Sequence, residues 1–184
     1  IGVTGVQTCA LPIWKVTEPG LVICLSSLKY QWHNAIAKFT EGTSKSIVID
    51  GTPKKRDEQY AEAMDWRNTK IDYVIMNYEQ VVNDWNIVKK LPRGFIVCDE
   101  ATAIKSFRSK RAKALKRMSD APFKFALTGT PIENGKPEEL FSIMQFVDDS
   151  VLGRFDIFDK AFIVRNHWGG VLRYRNRSEE HTSE

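Results

Sequence analysis

The sequence predicts an α/β protein with a doubly wound, mainly parallel sheet and helices on both faces. Two observations indicate this fold: short apolar runs of strand length recur along the chain, and longer stretches with apolar residues at helical spacing separate them. Continuous apolar runs are typical of parallel strands that are buried on both faces. The predicted strands lie at 21–25, 47–49, 73–76, 95–98 and 123–127.

The intervening stretches predict the helices. In 28–39, apolar residues recur every three or four positions, so an amphipathic helix is predicted with Trp32 in the core. Ser26 and Ser27 precede it and are predicted to cap it. Further helices are predicted at 54–66, 101–118 and 137–146.

The fourth strand ends in two carboxylates, Asp99 and Glu100. In an open parallel sheet the carboxyl ends of the strands face the ligand crevice, so both side chains are expected there. One carboxylate can hold a Mg²⁺ ion that neutralises phosphates, and its neighbour can orient or deprotonate an attacking water. The alternative is a strand end whose carboxylates are simply solvated.

The fifth strand ends in Thr128, Gly129, Thr130 and Pro131. Two hydroxyls around a glycine, followed by a proline that stops the strand, predict a tight polar turn beside the carboxylates. Alone, such a sequence is usually only a turn. Together, the two strand ends are a far more specific pattern.

These strand ends resemble two motifs of a known family. Asp99-Glu100-Ala101-Thr102 resembles the Walker B or DEAH-type box of superfamily two helicases. The run from Leu127 to Asn134 is similar to the Leu-Thr-Gly-Thr-Pro-Ile-Gln/Glu-Asn motif of Swi/Snf-type DNA-dependent ATPases. The likeness continues in order over most of residues 20–176, and it implies a helix over 155–164. It implies an N-terminal RecA-like lobe that uses ATP and Mg²⁺, moves on double-stranded DNA and works with a second RecA-like lobe.

The resemblance also implies roles for the residues at the strand ends. Asp99 would bind Mg²⁺, and Glu100 would position and deprotonate water, which makes these two the candidate catalytic residues. Thr128, Gly129 and Thr130 would belong to the nucleotide site together with both carboxylates, and the two threonines would couple that site to the DNA face.

Several polar residues are candidates for contacts with the DNA backbone. Hydroxyls and amides at a helix start are natural phosphate ligands, and lysines there would make binding salt-dependent without base specificity. The resemblance implies DNA contacts by Ser26, Ser27, Asn77, Tyr78, Lys105, Ser109 and Lys110. The alternatives are a capped amphipathic helix for the serines and a solvated helix face for the lysines.

One motif of ATPases is missing from the sequence. No Gly-x-x-x-x-Gly-Lys-Ser/Thr occurs, so the usual phosphate-binding loop and its lysine are absent. The resemblance places this loop upstream of Pro19 and an arginine finger downstream of Asn176. We therefore expect residues 14–176 to be part of a helicase ATP-binding lobe that is inactive alone.

Both ends of the chain resemble translated sequencing adapter. The peptides at 3–13 and 177–184 can be encoded by one DNA stretch read in opposite directions. We therefore predict that 1–13 and 177–184 are artefacts that do not belong to the folded domain. A natural apolar N-terminus and a polar tail are the alternative.

Composition sets the remaining bounds. The formal net charge is +4, and it becomes +6 without 177–184 because that tail holds one arginine and three glutamates. This modest excess is compatible with a polyanionic partner. Cys24 and Cys98 lie in apolar runs without metal-type spacing, which favours a reducing cytoplasm. No apolar run is long enough to cross a membrane. A bacterial or phage source is expected.

Two other functions stay open from the sequence. One is a non-catalytic DNA-binding module derived from a helicase, although an intact pair of carboxylates argues against it. The other is the helicase subunit of a restriction system, which would carry a nuclease or specificity domain elsewhere in its chain.

Overall fold

A parallel five-stranded sheet forms the centre of the protein. The structure is a computed structural model and describes residues 17–132 and 136–175. The strands lie in the order β2-β3-β1-β4-β5, and every neighbouring pair is parallel. Their bounds are β1 Gly20–Cys24, β2 Lys45–Val48, β3 Ile71–Asn77, β4 Phe95–Asp99 and β5 Lys124–Leu127.

Helices connect the strands and cover the sheet. In the described residues they are α1 Lys29–Phe39, α2 Pro53–Met64, α3 Trp66–Thr69, α4 Tyr78–Asn83, α5 Trp85–Val88, α6 Lys110–Lys116, α7 Pro137–Val147 and α8 Phe155–Phe162. Two short 3₁₀ helices, Ser26–Leu28 and Ala101–Ile104, follow β1 and β4. An antiparallel hairpin of β6 Ile163–Arg165 and β7 Val171–Tyr174 comes last.

The two faces of the sheet carry different helices. Helix α1 packs on one face, where Ile36 meets Val22 and Cys24 of β1. The helices after β2, β3 and β4 contribute to the larger core on the opposite face, where Leu21 and Ile23 of β1 point. The connection from β1 to β2 leads towards the β2 edge of the sheet, whereas the later connections, from β2 to β3, β3 to β4 and β4 to β5, lead towards the β5 edge. Because crossovers between parallel strands are right-handed, this reversal puts α1 on its own face.

The predicted fold class is confirmed, and each predicted strand is present. The central strands were predictable because β1, β3 and β4 are buried and therefore apolar almost throughout. Strand β5 is only half-buried, since β4 is its one strand neighbour in the described sheet.

Three details of the helix predictions were wrong. The helix predicted over 101–118 is a 3₁₀ turn followed, after a break, by α6, because Ser109 caps a new helix start with its hydroxyl. The helix predicted over 155–164 ends at Phe162, where β6 begins. Ser26 and Ser27 form no cap hydrogen bond, and the N-cap position of their 3₁₀ turn is occupied by Leu25.

The C-terminal part of the described chain packs through aromatic rings. Phe141 of α7 contacts Phe155 and Phe158 of α8, with ring centroids 5.1 and 4.7 Å apart. Phe107 also contacts Phe155, at 5.3 Å. These contacts attach α8 to the body of the lobe. The two predicted artefact segments, 1–13 and 177–184, lie outside the described residues, so they stay predictions.

Candidate active site

The ends of four strands lie side by side at the carboxyl edge of the sheet. Asn77 of β3 pairs with Cys24 of β1, Cys98 of β4 pairs with Ile23 of β1, and Asp99 pairs with Leu127 of β5. The residues that follow these strands therefore start at the same level. This alignment places both predicted motifs next to each other.

A cleft of about 260 Å³ opens at this edge. It lies where the chain leaves β1 towards one face of the sheet and leaves β4 towards the other, which is the topological switch point of an open parallel sheet. The cleft brings together three sequence-predicted residues, Glu100, Thr130 and Lys105. Its other lining residues are Leu25, Thr102, Ala103 and Arg111.

Asp99 is fixed by hydrogen bonds from three directions. The indole Nε1 of Trp32 donates to Asp99 Oδ2 at 2.8 Å, and the backbone amide of Glu100 donates to Oδ1 at 3.0 Å. The hydroxyl of Tyr78 donates to the backbone oxygen of Asp99 at 2.7 Å. Each carboxylate oxygen thus accepts one bond and keeps lone-pair capacity for a further ligand.

Glu100 has a left-handed backbone conformation, with φ 52° and ψ 55°. This conformation is uncommon for a residue with a side chain and costs of order 1–2 kcal/mol. It ends β4 abruptly, and the exposed Glu100 side chain lines the cleft. Backbone strain of this kind clusters at functional sites, where the surrounding structure maintains it.

The two carboxylates fit a Mg²⁺ ion that is also bound by a phosphate substrate. Mg²⁺ is usually held by one or two carboxylates, several waters and substrate phosphates. Asp99 has free lone pairs at a half-buried position, and Glu100 is adjacent and exposed. Within 17–132 and 136–175, no group of three or more His, Cys, Asp or Glu could hold a metal ion by itself.

The turn after β5 is closed by a hydrogen bond to the side chain of Thr128. The backbone amide of Thr130 donates to the hydroxyl of Thr128 at 3.1 Å, so the predicted polar turn is present. Thr128 is half-buried, whereas Gly129 and Thr130 are exposed. A Cβ built on Gly129 would meet no atom within 4 Å, so neither crowding nor backbone conformation requires glycine there. Glu133 and Asn134 of the motif lie outside the described residues.

The four predicted DNA-contact residues in the first half of the chain differ in exposure. Ser26 and Ser27 are exposed on the turn after β1. Asn77 caps α4, with its side-chain oxygen accepting from the amide of Gln80 at 2.8 Å. Tyr78 is only 1% exposed. Its ring lies in the core and its hydroxyl donates to the backbone oxygen of Asp99, so only its backbone at the start of α4 is available to DNA, and the predicted contact stays a prediction.

The predicted contacts of the second half occupy the segment between β4 and α6. Lys105 lines the cleft, and its amine lies 3.9 Å from Oε1 of the largely buried Glu139. Ser109 caps α6, its hydroxyl accepting from the amide of Ala112 at 3.1 Å. Lys110 is the first residue of α6 and is exposed. These three do not converge on one point, but they follow one another along the surface beside the cleft.

Burial alters the pKa of two groups near the site. The pKa of the Cys24 thiol is raised to about 12, first by burial and then by the negative charge of Asp99. Burial lowers the pKa of the Lys116 amine to about 8. Both Cys24 and Cys98 are buried free thiols, as their apolar surroundings in the sequence predicted.

The sequence did not predict several hydrogen bonds that hold residues at or next to the site. Trp32 was predicted as core, but it is half-buried and its indole N–H binds Asp99. Lys116 donates to the hydroxyl of Ser142 at 3.1 Å, and Ser142 donates to the backbone oxygen of Ile104 at 2.7 Å. No local pattern signals these bonds, because their partners lie at least 26 positions apart in the sequence.

Comparison with known proteins identifies the family of this chain. The family model of the SNF2-related domain matches residues 9–182. The chain is 29% identical over 148 residues to the mouse "DNA repair and recombination protein RAD54-like", covering 79% of this chain and 20% of the relative. It is 32% identical over 146 residues to the Arabidopsis thaliana "ATP-dependent DNA helicase DDM1", covering 78% of this chain and 19% of the relative.

A solved structure shows the same fold. The "Sulfolobus solfataricus SWI2/SNF2 ATPase core in complex with dsDNA" superposes with a TM-score of 0.66 at 30% identity. The match covers 84% of this chain and 30% of that chain, and the described chain spans about a fifth of the two curated relatives above. The predicted RecA-like helicase lobe is thereby confirmed as the fold. The chain belongs to the SNF2-related domain family.

Proposed function

We propose that this chain is most of the first RecA-like lobe of an ATP-driven translocase that moves on double-stranded DNA. The observation that carries this proposal is the cleft at the topological switch point, where Glu100 of one motif meets Thr130 of the other. The solved relative was captured with double-stranded DNA, which supports the same partner here.

In this proposal the two carboxylates have different tasks because their environments differ. Asp99 is held by three hydrogen bonds, so it would present a fixed oxygen to Mg²⁺. When bound, Mg²⁺ neutralises charge on the substrate phosphates. Glu100 is exposed at the cleft and free to turn towards a water, which suits it to orient and deprotonate the attacking nucleophile.

The polar turn at Thr128 and Thr130 would couple the nucleotide site to the DNA-binding face. It follows β5 directly, and β5 pairs with the strand that carries Asp99. A small shift at the carboxylates would therefore reach the turn through strand pairing. Gly129 would contribute only its backbone, because a side chain there has room.

DNA would lie along the exposed start of α6 and the turn after β1. Ser26, Ser27 and Lys110 are exposed there, and Asn77 and Lys105 lie at the same edge. The exposed Arg108 adds a cation to this surface. Contacts of this type hold the phosphate backbone and confer no base specificity. A second RecA-like lobe of the parent protein would complete the nucleotide site.

A non-catalytic DNA-binding module is the second candidate. It differs from the translocase in lacking the Gly-x-x-x-x-Gly-Lys-Ser/Thr loop, whose groups hold the nucleotide phosphates, in the whole parent protein. Sequencing the source DNA outward through positions 19 and 176, without adapters, distinguishes the two. A phosphate-binding loop upstream and an arginine-bearing lobe downstream would support the translocase. Continuous native sequence without them would support the module.

The parent protein then allows a direct test of Glu100. We expect Glu100→Gln to lower the rate of DNA-stimulated ATP hydrolysis by about 10²- to 10⁴-fold while ATP binding is kept, because general-base catalysis typically contributes that much to the rate. Glu58→Gln is the matched control, because Glu58 is exposed on α2. Hydrolysis of Glu100→Gln at the rate of the control would remove Glu100 from the mechanism. The 184-residue chain alone should hydrolyse almost no ATP.

A further inference from the structure

Trp32 has an unusual position for a residue that the sequence assigns to the core. Its ring packs against the cluster formed by Val22, Cys24, Ile36 and Ile75, on the face of the sheet covered by α1. Its indole N–H, however, is directed at the carboxyl edge, where it meets Asp99 Oδ2 at 2.8 Å. One side chain thus joins the smaller core to the candidate metal ligand.

The bond fixes more than the distance between two atoms. A carboxylate at a strand end can rotate about its last bond, which would turn its oxygens away from a ligand. In this chain Oδ2 is held by the indole and Oδ1 by the amide of Glu100. Since the two donors lie on different segments, the plane of the carboxylate is fixed. Hydrogen bonds to an ionised acceptor are about twice as strong as neutral ones.

We propose that Trp32 is a positioning residue for Asp99, which holds the carboxylate in the orientation that binds a divalent cation; this rests on the proposed function. Partners that orient metal-binding carboxylates usually contribute 10- to 100-fold in metal affinity. Trp32 lies on α1, which directly follows the exposed turn of Ser26 and Ser27. The cation site and the predicted DNA-contact turn are therefore joined by one helix and one hydrogen bond.

The first test detects the hydrogen bond in the 184-residue chain. With tryptophan labelled by ¹⁵N, the five indole N–H groups give separate NMR signals. Trp32→Phe assigns the Trp32 signal by its loss. We expect Asp99→Asn to move that signal more than any other indole signal. An unchanged Trp32 signal would show that the bond does not form, and would overturn the proposal.

The second test measures cation binding without any catalytic readout. In the parent protein saturated with a non-hydrolysable ATP analogue, which supplies the phosphate oxygens, the change in the Mn²⁺ EPR signal on binding to the protein gives the Kd, and binding that is lost in Asp99→Asn defines the site. We expect Trp32→Phe to weaken that binding by about 10-fold or more, because phenylalanine keeps much of the packing but lacks the donor. Trp66→Phe is the matched control, since Trp66 is half-buried on α3 and packs against the other core.

The outcomes separate the proposal from the function on which it rests. If Asp99→Asn leaves Mn²⁺ binding unchanged, Asp99 is not a cation ligand and both proposals lose that role. If Asp99→Asn removes binding while Trp32→Phe binds as tightly as Trp66→Phe, only the positioning role is overturned. A merely structural role would lower the Tm of Trp32→Phe and leave its Kd unchanged, which would also overturn it.

Discussion

The hydroxyl of Tyr78 donates a hydrogen bond to the backbone oxygen of Asp99 at 2.7 Å, so the start of α4 is joined to the end of β4. Strand β1 lies between β3, which precedes Tyr78, and β4, which carries Asp99. The bond therefore spans the middle of the sheet at its carboxyl edge. It fixes the strand end from which both candidate catalytic carboxylates project.

Removal of this hydroxyl should destabilise the lobe. We expect Tyr78→Phe to lower the free energy of unfolding by about 1–3 kcal/mol, because a partly buried acceptor would lose its partner. Urea unfolding measures the effect. Tyr30→Phe is the control, since Tyr30 also donates to an aspartate, at 3.0 Å, but is 54% exposed. Equal losses in the two variants would contradict a special role for the Tyr78 bond.

Replacement of Glu100 by glycine should stabilise the fold relative to alanine. Glycine adopts the left-handed conformation of this position without the steric cost that a Cβ imposes. We expect Glu100→Gly to be more stable than Glu100→Ala by about 1 kcal/mol in urea unfolding. Lys70, with φ 59°, provides the comparison at the end of α3. Lys70→Gly should likewise be more stable than Lys70→Ala. If glycine is more stable than alanine at position 70 but not at position 100, the backbone of Glu100 is not strained.

Lys116 should make stability depend on pH between about 8 and 10.5. Burial lowers its pKa to about 8 in the folded protein from the usual 10.5 of a lysine, so the unfolded chain binds more protons in this window. Stability from this group therefore rises as pH increases from 8 to 10.5. Urea unfolding at several pH values should show that rise as the difference between the wild type and Lys116→Met.

The difference between the two proteins is needed because other groups act in the opposite direction. The pKa of the Cys24 thiol is raised to about 12 by burial and by Asp99. The contribution of such a group to the stability of the protein falls as pH rises above the pKa that the thiol has in the unfolded chain. Both proteins contain Cys24, so its effect cancels. A difference that stays constant from pH 7 to 10 would show that Lys116 does not titrate in this range.

Lys110 should contribute one phosphate contact to DNA binding. If the exposed start of α6 touches the DNA backbone, Lys110→Gln should weaken binding of any duplex sequence and reduce the slope of log K against log salt by about 1. Fluorescence anisotropy with two unrelated duplexes measures both quantities. Lys38→Gln is the control, because Lys38 is exposed in the last turn of α1. Equal slopes for the two variants would place DNA elsewhere.

Part of the site could be predicted because its signal is local. Buried strands must be apolar, so polar residues mark where β4 and β5 end, and Asp99, Glu100, Thr128 and Thr130 were located correctly at those ends. The left-handed conformation of Glu100 carries no such signal. Neither does the burial of Tyr78, because a tyrosine after a strand suits a core position and a surface position equally well.

The sequence by itself determined the strands, most helices, the fold class and the two motifs, since each depends on residues near one another in the chain. The tertiary structure decided which strand ends became neighbours and what holds them. The order β2-β3-β1-β4-β5 places β1, the strand that precedes α1, beside β4, so that Trp32 of α1 reaches Asp99 across 67 positions of sequence. A hydrogen bond over that separation depends on the path of the whole chain, and no short stretch of residues encodes it.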